Sequence, residues 1–385
     1  MEKVPCQIVV FAHVPPPLHG QSQMVQWLVE GLQRRAELGV EIVHIDARLS
    51  TDLTDVGSAR GGKLGLLFKY IGQTIRVRCK TGARVLYYVP SPPKRNSLYR
   101  DWIVLAVLRL FYRHVIFHWH AVGLGAWLEV QARPWERWIS HGLMGRNTLS
   151  LVLAESNRAD AGKLHPQACL AVANGIPDPC PDYHARMPAL RVSQSVARQG
   201  SAAAIPVLYL AHCTRDKGLF DAVEAILIAN RRGAGASRFT LTVAGTFVTA
   251  DEERDFRALL DSPECRGVIK YIGFVSGESK TAAFTNHEIF LFPTYFANEG
   301  QPVSLIEAMA WGLPIVTTRW RAIPEFFDPA YPGLVEPRNP GATADALVRV
   351  ARELDGSALR QRFETAYSLD RHLEAMAAAF HSVPP

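Results

Sequence analysis

Short apolar runs alternate with stretches of helical periodicity along almost the whole chain. Runs at 7–14 (QIVVFAHV), 41–46, 84–90, 115–120, 149–155 and 169–174 predict six strands in the first half. They are apolar almost continuously rather than at every second position, as expected of a parallel sheet covered on both faces. Helical patterns lie between them at 21–36, 63–78, 97–112, 135–146 and 156–164. A segment rich in Pro, Ser and Ala, 178–206, breaks the rhythm and predicts a linker over 181–204. The alternation restarts at 206–212, 238–245, 268–274, 288–293, 314–318 and 333–337, then closes with a helical stretch at 357–380. The organisation expected is α/β: two doubly wound domains, 1–180 and 205–365, facing each other across a cleft, with 366–385 a candidate to pack back on the first. Ligands would lie at the carboxyl ends of the strands.

Composition narrows the class. The 385 residues are 48% hydrophobic, yet no uncharged apolar run reaches the roughly 18 residues that a spanning helix needs. The start, MEKVPCQIVVFAHV, reads as a first strand rather than a signal peptide. Six cysteines are scattered without metal-type spacing, as suits a reduced cytoplasmic protein. The net charge is +6, but residues 1–180 hold 21 Lys/Arg against 13 Asp/Glu, and 60–113 hold twelve basic residues with the single acid Asp101. That concentration predicts an anionic partner for the first half.

The stretch NEGQPVSLIEAMAWG (298–312) carries the most chemistry. Pro302 suits the first turn of a helix, because its missing N–H would have no partner there. The amides of Val303 and Ser304 would then sit at a helix mouth just after a strand, a place that favours phosphate. Glu307 shares their face and is the only charge in VSLIEAMAW. A lone buried carboxylate needs hydrogen-bond donors; a ribose diol, an arginine or a backbone amide would each serve. Glu299 lies in the loop ahead.

The segment FPTYFANEGQPVSLIEAMAWGLPIVTT (292–318) resembles the donor-binding motif of glycosyltransferase family 4, with two glutamates separated by seven residues. The resemblance covers most of the chain as architecture and several short places residue by residue. It implies the GT-B fold of two Rossmann-like domains, and retaining transfer from a nucleotide sugar with no cofactor and no catalytic metal. It implies that Glu299 contacts the donor hexose, that the backbone through Gly300, Gln301, Val303 and Ser304 holds hexose and diphosphate, and that Glu307 binds the ribose.

Other segments are similar to the same family. LYLAHCTRDKGLFDAVEA (208–225) places Lys217 where a strand gives way to a helix, so that its cation can neutralise a departing diphosphate. The family's arginine five residues earlier is His212 here; either His212 or Arg215 could take its place. FAHVPPPLHGQSQ (11–23) sets Gly20 at a strand–loop–helix turn, flanked by His19 and Gln21. FHWHAVG (117–123) resembles the segment of the active-site histidine, which His120 fits better than His118, the latter reading as a core residue. VANGIPD (172–178) reads as a structural turn. Phe274 and Val275 stand where the base would be met. In RWRAIPEFF, Trp320 and Arg321 occupy positions where the family has glycines.

A basic flank remains. Over 63–80, Leu64, Leu67, Phe68, Ile71 and Ile75 form one helical stripe and Lys69, Arg76 and Lys80 another. Arg133, Trp135, Arg137, Trp138 and Arg146 add a second basic and aromatic patch. Together they suit an anionic membrane surface and a glycan or polyprenyl-linked acceptor, whereas no nucleic-acid recognition motif is present. Two other readings fit the same architecture: a nucleotide-sugar 2-epimerase, and a non-catalytic protein that binds sugar nucleotide or lipid.

Overall fold

The computed structural model describes residues 6–17, 19–49, 61–198, 204–233 and 238–384. The chain divides into two compact units, one of residues 1–177, 298–301 and 367–385, the other of 178–297 and 302–366.

The first unit runs β1 (Cys6–Phe11), α1 (Gly20–Arg34), β2 (Val40–Ile45), α2 (Gly61–Thr81), β3 (Val85–Tyr88), α3 (Arg95–Leu108), β4 (His114–Trp119), α4 (Leu124–Val130), α5 (Pro134–Met144), β5 (Leu149–Val152), α6 (Arg158–Gly162) and β6 (Cys169–Ala171). The strands form one sheet in the order β2-β1-β3-β4-β5-β6, every pairing parallel. The near-continuous apolar runs have a plain cause. Val9, Phe11, Leu86, Tyr88, Val115 and Phe117 point into a core shared with α2 and α3. Their neighbours Ile8, Val10, Val85, Tyr87, Ile116 and Leu151 point into a second core on the opposite face. With a period of two, a strand covered on both sides must be apolar at both parities.

The second unit opens with α7 (Tyr183–Arg198) and continues β7 (Ile205–Leu210), α8 (Leu219–Arg232), β8 (Phe239–Ala244), α9 (Ala250–Leu260), β9 (Ile269–Gly273), α10 (Gly277–Thr285), β10 (Ile289–Phe292), α11 (Val303–Ala310), β11 (Ile315–Thr318), β12 (Leu334–Val335), α12 (Pro340–Val350) and α13 (Ser357–Arg362). Its sheet is also parallel, in the order β12-β11-β10-β7-β8-β9. The chain then returns to the first unit as α14 (Leu369–His381), where Leu373, Met376 and Phe380 join the core beneath α1.

All twelve apolar runs are strands. The linker expected over 181–204 is not one: most of it is helix α7, held by the second unit. Arg191 donates to the carbonyls of Thr285 and His287, at 3.3 and 2.6 Å, and Arg198 pairs with Glu288. Gly312, at φ +58°, ends α11 against the Tyr183 ring, where a Cβ would fall 2.1 Å from the phenol oxygen. Only Tyr183 and Met187 of α7 are buried, and Pro188 lies inside it. Polar anchors rather than an apolar stripe dock this helix, so periodicity had little to register.

Candidate active site

In each sheet the strand order reverses once, between β1 and β3 in the first and between β7 and β10 in the second. Such switch points open crevices at the carboxyl ends of the strands. In the second sheet this is the place of Lys217. The loop 211–218 leaves β7, turns at Gly218 (φ +79°) and enters α8. A Cβ on Gly218 would lie 2.2 Å from the Pro293 carbonyl at the end of β10, so the two strand ends meet only because that residue is glycine. The Tyr209 hydroxyl closes the loop on the carbonyls of His212 and Lys217, both at 3.2 Å. The Lys217 ammonium stands 4.4 Å from the Phe296 ring centroid and 5.8 Å from that of Phe292. Two aromatic faces thus position the cation at the switch point.

Arg215 does not join it. Its guanidinium pairs with Asp255 of α9 at 2.7 Å and lies 4.2 Å over Phe220, while its backbone N–H donates to Glu252. The side chain is exposed and committed to α9. Both residues considered in place of the family's arginine lie on this loop; Arg215 turns its side chain to α9, and the His212 carbonyl accepts from the Tyr209 hydroxyl.

Helix α11 starts at Val303, with Pro302 as its N-cap (φ −64°, ψ 120°). Val303 and Ser304 contribute the first two helical N–H groups, which have no intrahelical acceptor. Glu307, on the same helix, is buried, and its Oε1 lies 2.5 Å from the ammonium of Lys280 on α10. The sequence reading considered an arginine or a backbone amide as its protein partner; the partner is this lysine. Lys280 follows the β9–α10 turn that carries Phe274 and Val275, so the ion pair ties that turn to α11. Phe274 is exposed.

The first unit gathers the remaining candidates. Gly20 is the first residue of α1, capped by His19, whose Nδ1 accepts from Ser22 N–H at 3.3 Å. His120 follows β4 directly. Gly300 packs on it so closely that a Cβ there would lie 2.4 Å from the His120 carbonyl oxygen. Gln301 and Asn174 hold the same loop: Asn174 N–H donates to Gln301 Oε1 at 2.6 Å and its amide to the Gln301 carbonyl at 3.2 Å. Asn298 donates to the Val122 carbonyl at 2.8 Å. The loop that carries buried Glu299 is thereby fixed against the end of β4.

His120 is one of a cluster. Its ring centroid is 4.2 Å from that of His118, and His118 is 6.5 Å from His372 of α14. His118 accepts from or donates to the Tyr87 hydroxyl at 2.6 Å through Nδ1, and His372 meets the Ala173 carbonyl at 2.7 Å. The Nε2 atoms of His118 and His120 are shielded from solvent with no hydrogen-bond partner. Burial, then the neighbouring imidazoles, pushes the His120 pKa down to about 3 and that of His118 well below the usual value; burial brings His372 to about 4. These rings are neutral near pH 7. The return of 366–385 to the first domain was expected, but His372 was missed because nothing local in the sequence says which residue of that helix meets the end of β4.

Against this geometry the known proteins can be compared. Residues 205–353 match the family model of glycosyl transferases group 1. The matched segment contains Lys217, Glu299 and Glu307. The amylovoran biosynthesis glycosyltransferase AmsK of Erwinia amylovora is 30% identical over 151 residues, 38% of this chain and 36% of that protein. The chain therefore matches about a third of the length of the curated relatives. Among solved structures, sucrose-phosphate synthase of Thermosynechococcus elongatus superposes with a TM-score of 0.69 at 16% identity, covering 98% of each chain. Anabaena Alr3699/HepE in complex with UDP gives 0.66 at 12% identity, covering 98% of this chain and 100% of its own. The fold is thus GT-B in type, built from two parallel six-stranded α/β sheets.

Proposed function

We propose that the protein is a retaining glycosyltransferase that moves a hexose from a nucleoside diphosphate sugar to a hydroxyl of a glycan or polyprenyl-linked acceptor in polysaccharide or glycolipid synthesis. The observation that carries this reading is the placement of Lys217 at the β7–β10 switch point, inside the segment that matches group 1 glycosyl transferases. The UDP in the HepE complex and the biosynthetic role in AmsK's name support a nucleotide-sugar donor and a polysaccharide setting.

In this mechanism the diphosphate lies against Lys217 and the N–H groups of Val303 and Ser304, with His212 as a further donor. Glu307 takes a ribose hydroxyl on its second oxygen while Lys280 holds the first. Glu299, Gly300 and Gln301 meet the hexose, Phe274 and Val275 the base, and neutral His120 donates to the transferred sugar or its leaving phosphate. The resemblance of segment 11–23 assigns Gly20 to the donor phosphate. The acceptor oxygen forms a bond to the anomeric carbon, the bond from that carbon to the diphosphate oxygen breaks, and the hydroxyl proton passes to the departing diphosphate. Lys217 and the α11 start stabilise the charge that develops there. No metal or cofactor is needed in this scheme.

The first unit also presents a surface for an anionic bilayer. Leu64, Leu66 and Phe68 of α2 and Trp135 and Trp138 of α5 are exposed beside Lys69, Arg76, Arg133 and Arg137, a combination that suits the interfacial zone. Leu67 and Ile71 of the expected stripe instead face the core. Among the described residues no helix is long and apolar enough to cross a membrane, and we place the protein on the cytoplasmic face of one.

The test is incubation of purified protein with UDP- and GDP-hexoses, with and without acceptor, and analysis of the products. Transfer or slow donor hydrolysis with retained anomeric configuration is expected. Conversion of donor to its 2-epimer with no acceptor present would instead establish the epimerase.

A further inference from the structure

A pocket of about 310 Å³ opens in the first unit at the carboxyl ends of β1 and β3, the switch point of that sheet. Its floor is apolar, made by Phe11, Leu49, Leu67 and Val104. Its wall carries the cations of Lys94 and Arg100 with the imidazoles of His13 and His19.

Arg100 is held in place. It donates to Ser91 Oγ and, at 3.2 Å, to Asp101. Asp101 is fully buried and already accepts from the Tyr88 hydroxyl at 2.8 Å, from Ser91 N–H at 2.8 Å and from Ser91 Oγ at 2.9 Å. The carboxylate thus orients Arg100 while occupying only part of a guanidinium that has five N–H donors. Lys94 is exposed and has no acidic partner among the described residues. Two imidazoles of the wall meet each other: His13 Nε2 lies 3.0 Å from His19 Nε2, beside Gln21.

We propose that this pocket receives the acceptor and that the acceptor bears an anionic group, a phosphate or a carboxylate, which Arg100 and Lys94 recognise beside the sugar that is modified. This rests on the transferase reading above. Two cations over an apolar floor favour a ligand that brings its own negative charge, because charge-assisted hydrogen bonds from a pre-oriented guanidinium gain strength where water is reduced. The apolar floor suits the C–H face of the attached ring.

The experiment titrates glucose 1-phosphate, glucuronate and glucose separately into the full chain with UDP present, following binding by calorimetry and the UDP thermal shift in the same samples. At least one anion should bind about tenfold or more tighter than glucose; the arm that does so identifies phosphate or carboxylate as the group read. Arg100→Ala and Lys94→Ala should each erase that preference while the UDP shift persists. Lys94 is exposed, so its variant keeps the test valid if Arg100→Ala misfolds. Equal binding of all three sugars, no binding of any, or an undiminished preference in the folded variants overturns the proposal. A UDP shift in those samples shows that the transferase reading survives, and its absence shows that both fall.

Discussion

The ammonium of Lys280 lies 2.5 Å from Oε1 of Glu307, joining α10 to α11 across the second unit. The Glu307 side chain is only 12% exposed and that of Lys280 33%, so the pair is a partly buried one in which removal of the lysine strands a carboxylate. Lys280→Met should cost about 1–3 kcal/mol in urea unfolding. Glu307→Gln, which keeps the shape and loses the charge, should destabilise less yet weaken UDP by about tenfold, since the ribose loses a charged acceptor. Unchanged UDP affinity in Glu307→Gln would remove the ribose from this carboxylate.

Lys217→Ala should lower turnover by about a hundredfold or more, the scale seen when one preorganised charge stabiliser is lost. The melting temperature should move little, because Lys217 is only half-buried and alanine leaves in place the backbone carbonyl that Tyr209 holds. Steady-state kinetics and a melting curve on the same preparation check both halves. Wild-type turnover would exclude this residue from the chemistry.

Stability should fall on mild acidification. His118, His120 and His372 all have folded-state pKa values below the ordinary imidazole value, with His120 at about 3 and His372 at about 4. Between pH 6.5 and those values the unfolded chain is protonated and the folded chain is not. The stability these rings contribute is therefore complete above about pH 6.5 and declines below it, by up to ~1.4 kcal/mol per pH unit for each ring. Thermal melts from pH 8 to 5, a range above most carboxylate titration, should show a plateau and then a decline. His372→Gln should make the decline shallower; an identical slope would refute the assignment.

Gly312→Ala should be damaging far from any ligand. The backbone there is left-handed at φ +58°, and the new methyl would strike the Tyr183 phenol. A loss of about 1–3 kcal/mol is expected from the conformation alone. The double variant with Tyr183→Ala should recover the steric part and leave the conformational part, which chemical denaturation can resolve.

Sedimentation with vesicles tests the exposed face. Phe68→Ser and Trp138→Ser should each reduce binding to vesicles rich in anionic lipid, and high salt should reduce it further. Wild-type protein that stays in the supernatant at low salt would end the membrane proposal.

Much was legible in the chain itself. The twelve strands were readable because a parallel sheet buried on both faces imposes unbroken apolar runs, as Ile8, Val9, Val10 and Phe11 show by alternating between two cores. The short motifs around Lys217 and Glu307 were readable because a strand end, a glycine turn and a helix start are local features. Helix α7 escaped because its docking depends on Arg191 and Arg198 finding partners some ninety residues away.

What the sequence determined by itself was therefore the class of each layer and the loops that carry chemistry, since these follow from periodicity and from residues adjacent in the chain. Only the tertiary structure decided which side chains meet: Lys280 with Glu307, Arg215 turned to Asp255, and His372 beside His118. Such pairings join distant segments, and their energy depends on burial and distance, neither of which exists until the chain has folded.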